Sequence, residues 1–348
     1  MKEQILVTGG TGYIGSHTVV ELQQQGYEVV IVDNLSNSRI EVVDQIEAIT
    51  GIRPAFVNLD LTDSEGVGTF FDGHPEVKAV IHFAASKAVG ESVEKPLMYY
   101  HNNLFSLINL LDQMQEHAVQ NLVFSSSCTV YGQPEQLPVK ESAPVQKAMS
   151  PYGNTKQIAE EIISDQAQVS PLHAVLLRYF NPIGAHASAK IGELPLGVPN
   201  NLVPYITQTA IGLRAQLKVF GDDYPTPNGT PIRDYIHVSD LAKAHVVALK
   251  RMMENKQKKN VEFFNIGTGT GYSVLEVIES FERISNQKLN YKIVERRPGD
   301  ITAVWADTDL ANQVLGWKAE KNLDEMMLSS WNWELALAKQ KKNTTDNH

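Results

Sequence analysis

An α/β fold built on a doubly wound parallel sheet is predicted by three observations. Short aliphatic and β-branched runs alternate with amphipathic segments through the first half of the chain. Most of those runs are continuous apolar stretches of four to six residues, as strands buried on both faces of a parallel sheet require. A glycine-rich turn, Thr8-Gly9-Gly10-Thr11-Gly12-Tyr13-Ile14-Gly15, joins the first run to the first amphipathic segment. Together they describe the Rossmann-type βαβ layout.

The predicted strands are residues 4–8, 28–33, 54–58, 79–83, 121–125 and 174–179, with helices over 15–25, about 95–117 and 150–168. After Asn181 the character changes. Glycine, proline and asparagine punctuate 183–204 and 221–231, which predicts long loops around short helices rather than a second full sheet. Ser239-Asp240 starts a helix reaching about Met253, and 261–266 reads as a further strand. Gly267-Thr268-Gly269-Thr270-Gly271 reads as a structural turn, because Ser273 and Glu276 form a capping box that explains the next helix without a ligand. The polar tail from Lys339 is expected to fray.

At 348 residues the chain is long enough for two linked domains. The start, Met1-Lys2-Glu3 running into Ile5-Leu6-Val7, carries no secretion pattern, and no run approaches the roughly twenty apolar residues of a membrane span. Cys128 is the only cysteine, which excludes an intramolecular disulfide and any cysteine-rich metal site and fits a cytoplasmic setting. No metal ligands are assigned. The net charge of −10 argues against nucleic acid as a partner. An anionic ligand would therefore need placed arginines or helix N-termini.

The glycine turn fits both G-x-G-x-x-G (Gly10, Gly12, Gly15) and G-x-x-G-x-x-G (Gly9, Gly12, Gly15). Glycines let backbone approach a pyrophosphate, and the helix that follows offers unpaired N–H donors. Asp33 closes the next strand, where a carboxylate accepts from ribose hydroxyls and repels a 2′-phosphate, so NAD is expected rather than NADP. Arg39, six residues further on, reads as a solvated loop residue. Asp60 is either an adenine contact or a helix N-cap.

Tyr152 and Lys156 stand four residues apart in Ser150-Pro151-Tyr152-Gly153-Asn154-Thr155-Lys156 and so share one helix face. A tyrosine of ordinary pKa, about 10, is protonated at neutral pH. A cation held beside it favours the phenolate, and a lowering of about two to three units is worth roughly 3–4 kcal/mol. That makes Tyr152 a candidate base. Ser125-Ser126-Ser127, at the end of a predicted strand, supplies hydroxyls for the same site.

With these residues in place the chain resembles the extended short-chain dehydrogenase/reductase family, and within it the UDP-glucose 4-epimerases. The likeness runs from Leu6 to Trp333 and includes Asp33-Asn34-Leu35-Ser36-Asn37-Ser38, Lys87-Ala88-Val89-Gly90-Glu91-Ser92, Leu177-Arg178-Tyr179-Phe180-Asn181-Pro182, Arg233-Asp234-Tyr235-Ile236-His237-Val238 and Trp305-Ala306-Asp307. The resemblance implies an NAD domain over 1–181, rejoined by segments around 233–266, and a mainly UDP-sugar-binding, mixed α/β domain over 182–348. It implies NAD contacts at Gly9, Gly12, Tyr13, Ile14, Gly15, Asp33, Asn34, Asn37, Ser38, Asp60, Leu61, Phe83, Ala84, Lys87, Asn102, Tyr152, Lys156 and Phe180. UDP-sugar contacts are implied at Ser127, Tyr152, Asn181, Asn201, Leu202, Phe220, Arg233, Tyr235, Arg297 and Asp300. Of these, Arg233 and Arg297 suit a diphosphate, because guanidinium forks bind phosphate oxygens in pairs. Tyr152, Lys156 and Ser127 are then the catalytic residues of a reversible oxidation at C4, passing through a 4-keto sugar. The resemblance also implies a homodimer joined through the helices near 95–117 and 150–168.

Two departures stand out. Phe83-Ala84-Ala85-Ser86-Lys87 replaces the commoner Phe-Ala-Gly-Leu-Lys. Val304, just before Trp305, is small where relatives restricted to plain hexoses carry tyrosine, which implies acceptance of UDP-GlcNAc and UDP-GalNAc. Two other readings compete. A nucleotide-sugar 4,6-dehydratase needs carboxylates where Cys128 and Thr129 stand, and a non-catalytic dinucleotide sensor commonly loses the tyrosine or lysine retained here.

Overall fold

The computed structural model of the chain describes residues 4–297 and 300–345. Its centre is a seven-stranded sheet formed by β1 (Gln4–Thr8), β2 (Glu28–Asp33), β3 (Ala55–Asn58), β4 (Val77–His82), β5 (Asn121–Ser127), β6 (His173–Tyr179) and, from much later in the chain, Val261–Ile266. Numbering the three short strands between them β7 (Asn181–Ile183), β8 (Leu217–Phe220) and β9 (Ile232–His237) makes that seventh strand β10. The order is β3-β2-β1-β4-β5-β6-β10, and every pairing is parallel. The order reverses between β1 and β4, the switch point at which a ligand crevice opens beyond the strand ends.

Alternation along the strands explains why both faces are covered. Ile5, Val7, Val29 and Ile31 pack with Val19, Val20 and Leu22 of α1 (Tyr13–Gln24), Ile46 of α2 (Glu41–Thr50) and Leu241 and Ala244 of the helix Val238–Met253. Their neighbours Leu6, Val30 and Val32 face the other way, onto Phe70 and Phe71 of α3 (Ser64–Gly73) and the helices Ser106–Glu116 and Pro151–Val169. The central strands β1 and β5 are therefore almost wholly buried on both faces, each large side chain contributing about 1.5–3 kcal/mol.

The expected helix over about 95–117 is broken into α5 (Pro96–Tyr100), a π turn at His101–Phe105 and α6 (Ser106–Glu116), and a separate short helix, α4 (Val89–Glu94), precedes it. The wide turn has a tertiary cause: the Asn103 side chain accepts from Ser86 N at 2.8 Å and donates to Ser86 O at 3.0 Å and to Thr155 Oγ1 at 3.1 Å. Such turns interrupt helices where side chains are re-aimed.

The catalytic-helix candidate is α7 (Pro151–Val169), begun by Ser150, whose hydroxyl accepts from Gly153 N at 3.1 Å, with Pro151 in the first turn. Beyond β6 the chain forms α8 (Leu202–Ala210), α9 (Val238–Met253), α10 (Val274–Ser285) and α11 (Leu323–Thr345), with the short strands β11 (Gly271–Ser273), β12 (Tyr291–Val294) and β13 (Ala303–Val304). Two small sheets result, β12-β8 and a group around β9 that takes in β7, β11 and β13. Their core includes Ile206, Phe281, Met326, Met327 and Trp331. The tail does not fray at Lys339, for α11 continues to Thr345; residues 346–348 lie outside the described part.

The turn at 267–271 is structural as expected: Asp234 accepts from Thr268 N at 2.9 Å, Thr268 Oγ1 at 2.7 Å and Gly269 N at 3.1 Å. Ser273 and Glu276 form the reciprocal capping box of α10. Ser273→Ala is expected to cost about 1 kcal/mol, read as a lower urea midpoint at unchanged slope. No helix among the described residues is long and apolar enough to cross a membrane.

Candidate active site

At the switch point lies a cleft of about 810 Å³. Its floor is the glycine turn. Gly9 has φ of 69°, and a Cβ there would meet Ala84 N at 2.8 Å; a Cβ on Gly15 would lie 2.2 Å from Gly9 O. Side chains are excluded from both, so bare backbone faces the cleft. Gly12 caps α1 with no side-chain hydrogen bond, leaving the first N–H groups of the helix available.

Asp33 braces this turn. Its carboxylate accepts from Thr11 N at 3.2 Å, Leu35 N at 2.9 Å and Ser38 Oγ at 3.1 Å. Asp60 accepts from Thr62 N at 2.9 Å, Thr62 Oγ1 at 2.7 Å and Asn34 Nδ2 at 3.0 Å. Burial alone would raise the Asp60 carboxyl, but these hydrogen bonds hold it below the ordinary range. It is not a helix N-cap; Asp63 takes that place, accepting from Gly66 N at 3.1 Å. Arg39 is exposed but lies at the rim of the same cleft.

Every residue set against NAD in the sequence lines this cleft, as do Ser127, Asn181 and Asn201. Tyr152 and Lys156 are both buried, one turn apart on α7. The Ser127 hydroxyl lies beside the Tyr152 phenol and favours its ionised form. Lys156 donates from Nζ to the Ser125 carbonyl at 2.6 Å and lies 4.8 Å from the centre of the Phe124 ring. Lys156 is not among the groups that lower the Tyr152 phenol, contrary to the expectation from their spacing. Burial pushes the phenol well above its usual value, and the Ser127 hydroxyl opposes this only in part. The ammonium is turned toward the Ser125 carbonyl, and burial pushes it down to about 8 against the pull of Glu160. Burial also pushes the Cys128 thiol up to about 12, which suits a filler residue rather than a nucleophile.

The remaining UDP-sugar candidates do not line the cleft. Arg297 donates to both oxygens of Asp300 at 3.2 and 2.8 Å, with its guanidinium 5.6 Å from the Phe220 ring. Arg233 Nη2 stands 4.0 Å from the same carboxylate. Both guanidinium groups thus have a carboxylate partner, so neither is an unmatched charge. Tyr235 is buried and pairs in register with Asn181; Val304 pairs in register with Arg233 and packs with Phe180. Leu202 opens α8 directly after Asn201.

Three cleft residues escaped the sequence reading. Glu193 stands 3.7 Å from Lys87 Nζ and accepts from Asn201 Nδ2 at 2.6 Å, linking both sides of the cleft. Tyr99 donates to Glu91 at 3.0 Å. The Thr129 hydroxyl, next to Ser127, is buried with no hydrogen-bond partner among the described residues. Glu193 lies in a glycine- and proline-rich loop with no periodicity to mark it; the adjacent Ser127-Cys128-Thr129 run was the available signal for Thr129. Among the described residues no cluster of three or more His, Cys, Asp or Glu could hold a metal ion.

Residues 6–329 match the family model described as GDP-mannose 4,6 dehydratase. A UDP-glucose 4-epimerase of Bacillus subtilis is 51% identical over 95% of this chain and 96% of its own length. A crystal structure of the enzyme of that name from Stenotrophomonas maltophila, with bound NAD and formylated UDP-arabinopyranose, aligns at 50% identity with a TM-score of 0.94, covering 97% of this chain and 99% of its own. The Bifidobacterium longum UDP-glucose 4-epimerase in complex with NAD+ and UDP aligns at 46% identity and a TM-score of 0.91, over 96% and 98%. The dehydratase description covers the shared fold, but no carboxylate stands at Cys128 or Thr129. Fold, cleft and half-identity along nearly the whole length agree: the chain belongs to the UDP-glucose 4-epimerase family.

Proposed function

We propose that this chain is an NAD-dependent enzyme that reversibly inverts C4 of UDP-glucose and UDP-galactose through a 4-keto sugar, in galactose metabolism. The observation that carries the reading is the juxtaposition, in one cleft, of Tyr152, Lys156 and Ser127 with a backbone cradle that side chains at Gly9 and Gly15 would fill. The cradle fits a dinucleotide. Its N–H groups and the start of α1 would hold the pyrophosphate, Asp33 the adenosine ribose and Lys156 the nicotinamide ribose. Bound NAD supplies the hydride acceptor for C4 and a positive ring charge that favours the phenolate.

Tyr152 takes the proton of the 4-hydroxyl and returns it to the keto oxygen, while Ser127 hydrogen-bonds that oxygen. Buried as it is, the phenol needs positive charge close by before it can act as a base at neutral pH. Asn181, Asn201, Leu202, Phe220, Arg233, Tyr235, Arg297 and Asp300 hold the UDP portion. Asp300 must then share Arg233 and Arg297 with the diphosphate. Holding the substrate by its nucleotide leaves the sugar free to turn and present its other face. Residues 1–181, with α9 and β10, form the cofactor part, and the rest of 182–348 carries the substrate.

Conversion of UDP-galactose to UDP-glucose by the purified protein tests the reading, first without and then with added NAD. Absence of conversion in both refutes it. Without carboxylates after Ser127 a dehydratase is not favoured, and with Tyr152 and Lys156 both in the cleft neither is a silent sensor.

From the small side chain of Val304, buried against Phe180, we infer that UDP-GlcNAc and UDP-GalNAc are substrates as well. Val304→Tyr is expected to lower kcat/KM for UDP-GlcNAc about thirtyfold while sparing UDP-glucose. A wild-type enzyme inert toward UDP-GlcNAc sinks this claim.

The exposed apolar residues Leu97, Met98, Phe105 and Ile108 along α5 and α6, with Val145 and Met149 before α7, support pairing of two copies through this face. Sedimentation velocity decides that point. A cytoplasmic location is proposed from the single cysteine.

A further inference from the structure

Residues 152, 156 and 160 form one stripe along α7, and each meets a different serine at the end of β5. Tyr152 lies beside Ser127, which lowers its pKa. Lys156 Nζ donates to the Ser125 carbonyl at 2.6 Å, and the Ser126 hydroxyl donates to Glu160 Oε1 at 2.5 Å. Successive strand side chains point to opposite faces, so the Ser125 hydroxyl turns instead to Tyr179 at 2.5 Å, leaving its carbonyl for the lysine.

The far side of Glu160 is gripped by Arg178 of β6, from Nε to Oε1 at 2.9 Å and from Nη2 to Oε2 at 2.6 Å. Arg178 Nη1 also donates to the Tyr131 hydroxyl at 3.0 Å, and that hydroxyl donates to Asn265 Oδ1 on β10 at 2.6 Å. The guanidinium lies 4.6 Å from the Phe263 ring. Glu160 and Arg178 are each 5% exposed. A buried pair of this kind costs several kcal/mol per ion in desolvation, and apolar replacements are often as stable, so stability alone does not account for it.

We propose that the Glu160–Arg178 pair is a positioning device for the reaction: it fixes the register of α7 on β5 and thereby places the Tyr152 hydroxyl and the Lys156 ammonium against Ser127 and the sugar. This rests on the epimerase reading above. The pair also sets the charge around Lys156. The ionisable groups that interact with that ammonium are Glu160 from α7 and His82 from β4; the Tyr152 phenol stands one turn away on α7, with Tyr179 of β6 and Cys128 after β5 around it. Burial and then Lys156 itself push the His82 imidazole down to about 3, so it is neutral. Burial raises both phenols and the thiol, leaving them neutral as well. Glu160 is the carboxylate among these groups, and it favours the protonated lysine. Removing it makes Lys156 lose its proton at lower pH.

In Glu160→Gln the amide keeps a partner for Ser126 but loses the fork and the charge. The expected result is a kcat about tenfold lower, KM for UDP-galactose within about threefold, and an alkaline limb of the kcat profile moved to lower pH. Glu160→Asp keeps the charge and shortens the reach, so its kcat falls with the alkaline limb in the wild-type place. Because Glu160→Gln strands a buried guanidinium, the Glu160→Gln/Arg178→Met double variant serves as the folded control. It is expected to melt near wild type, carry the kcat loss and show a smaller pH shift than the single variant. Dinucleotide retained through gel filtration, read from ultraviolet absorbance, is expected to fall in both Gln-bearing variants and provides a readout without turnover. A folded double variant with wild-type kcat, pH profile and dinucleotide content overturns the proposal, as does activity that merely follows the fraction of folded protein in every variant. A wild-type protein without epimerase activity overturns the reaction assigned above instead, so the two failures are distinct.

Discussion

Tyr152→Phe is expected to lower kcat by about a thousandfold with KM and melting temperature close to wild type. The substitution keeps the ring and removes only the hydroxyl beside Ser127, so the buried packing of α7 is preserved. Ser127 Oγ still accepts from Thr129 N at 3.2 Å, and the serine is not stranded. What disappears is the atom that carries the proton to and from the 4-hydroxyl. Steady-state turnover of UDP-galactose alongside a circular-dichroism melt checks both halves of the expectation. Near-normal turnover in the variant would mean that another group moves the proton.

Gly15→Ala is expected to abolish dinucleotide retention and to destabilise the protein by about 1–3 kcal/mol. One methyl group is enough, because the added carbon would sit 2.2 Å from Gly9 O and 2.9 Å from Gly10 Cα. Both neighbours are backbone, which has no rotamer to swing aside. Relief requires the turn to move off α1, and that turn is tied to Asp33 through Thr11 N. Thermal melting with and without added NAD measures both effects. A variant that melts normally and elutes with its dinucleotide would show that the turn yields more easily than its contacts suggest.

The cofactor half was open to reading from the sequence because its signals are local. A buried parallel strand is a short apolar run, and a glycine turn between such a run and a helix has few alternatives. Tyr152 and Lys156 were found by helical spacing alone. The π turn at His101–Phe105 was not, since its cause is Asn103 reaching Ser86 and Thr155 across the fold. The electrostatics of Tyr152 were misjudged for a similar reason. Spacing places two side chains on one face but does not say that Lys156 will prefer the Ser125 carbonyl, nor how completely the phenol is buried. Glu193 belongs to the same class: a carboxylate in an irregular loop becomes part of a site only when folding brings Lys87 and Asn201 to it.

The late strand β10 has a consequence for how the chain is made. It completes the sheet against β6, while α9 covers α1, yet both come after the substrate-side loops in the chain. On a ribosome, the first 181 residues therefore emerge with the β6 edge unpaired and the apolar flank of α1 bare. A fragment ending there is expected to need a chaperone or to aggregate through that edge, even though it contains the whole glycine turn, Ser127, Tyr152 and Lys156.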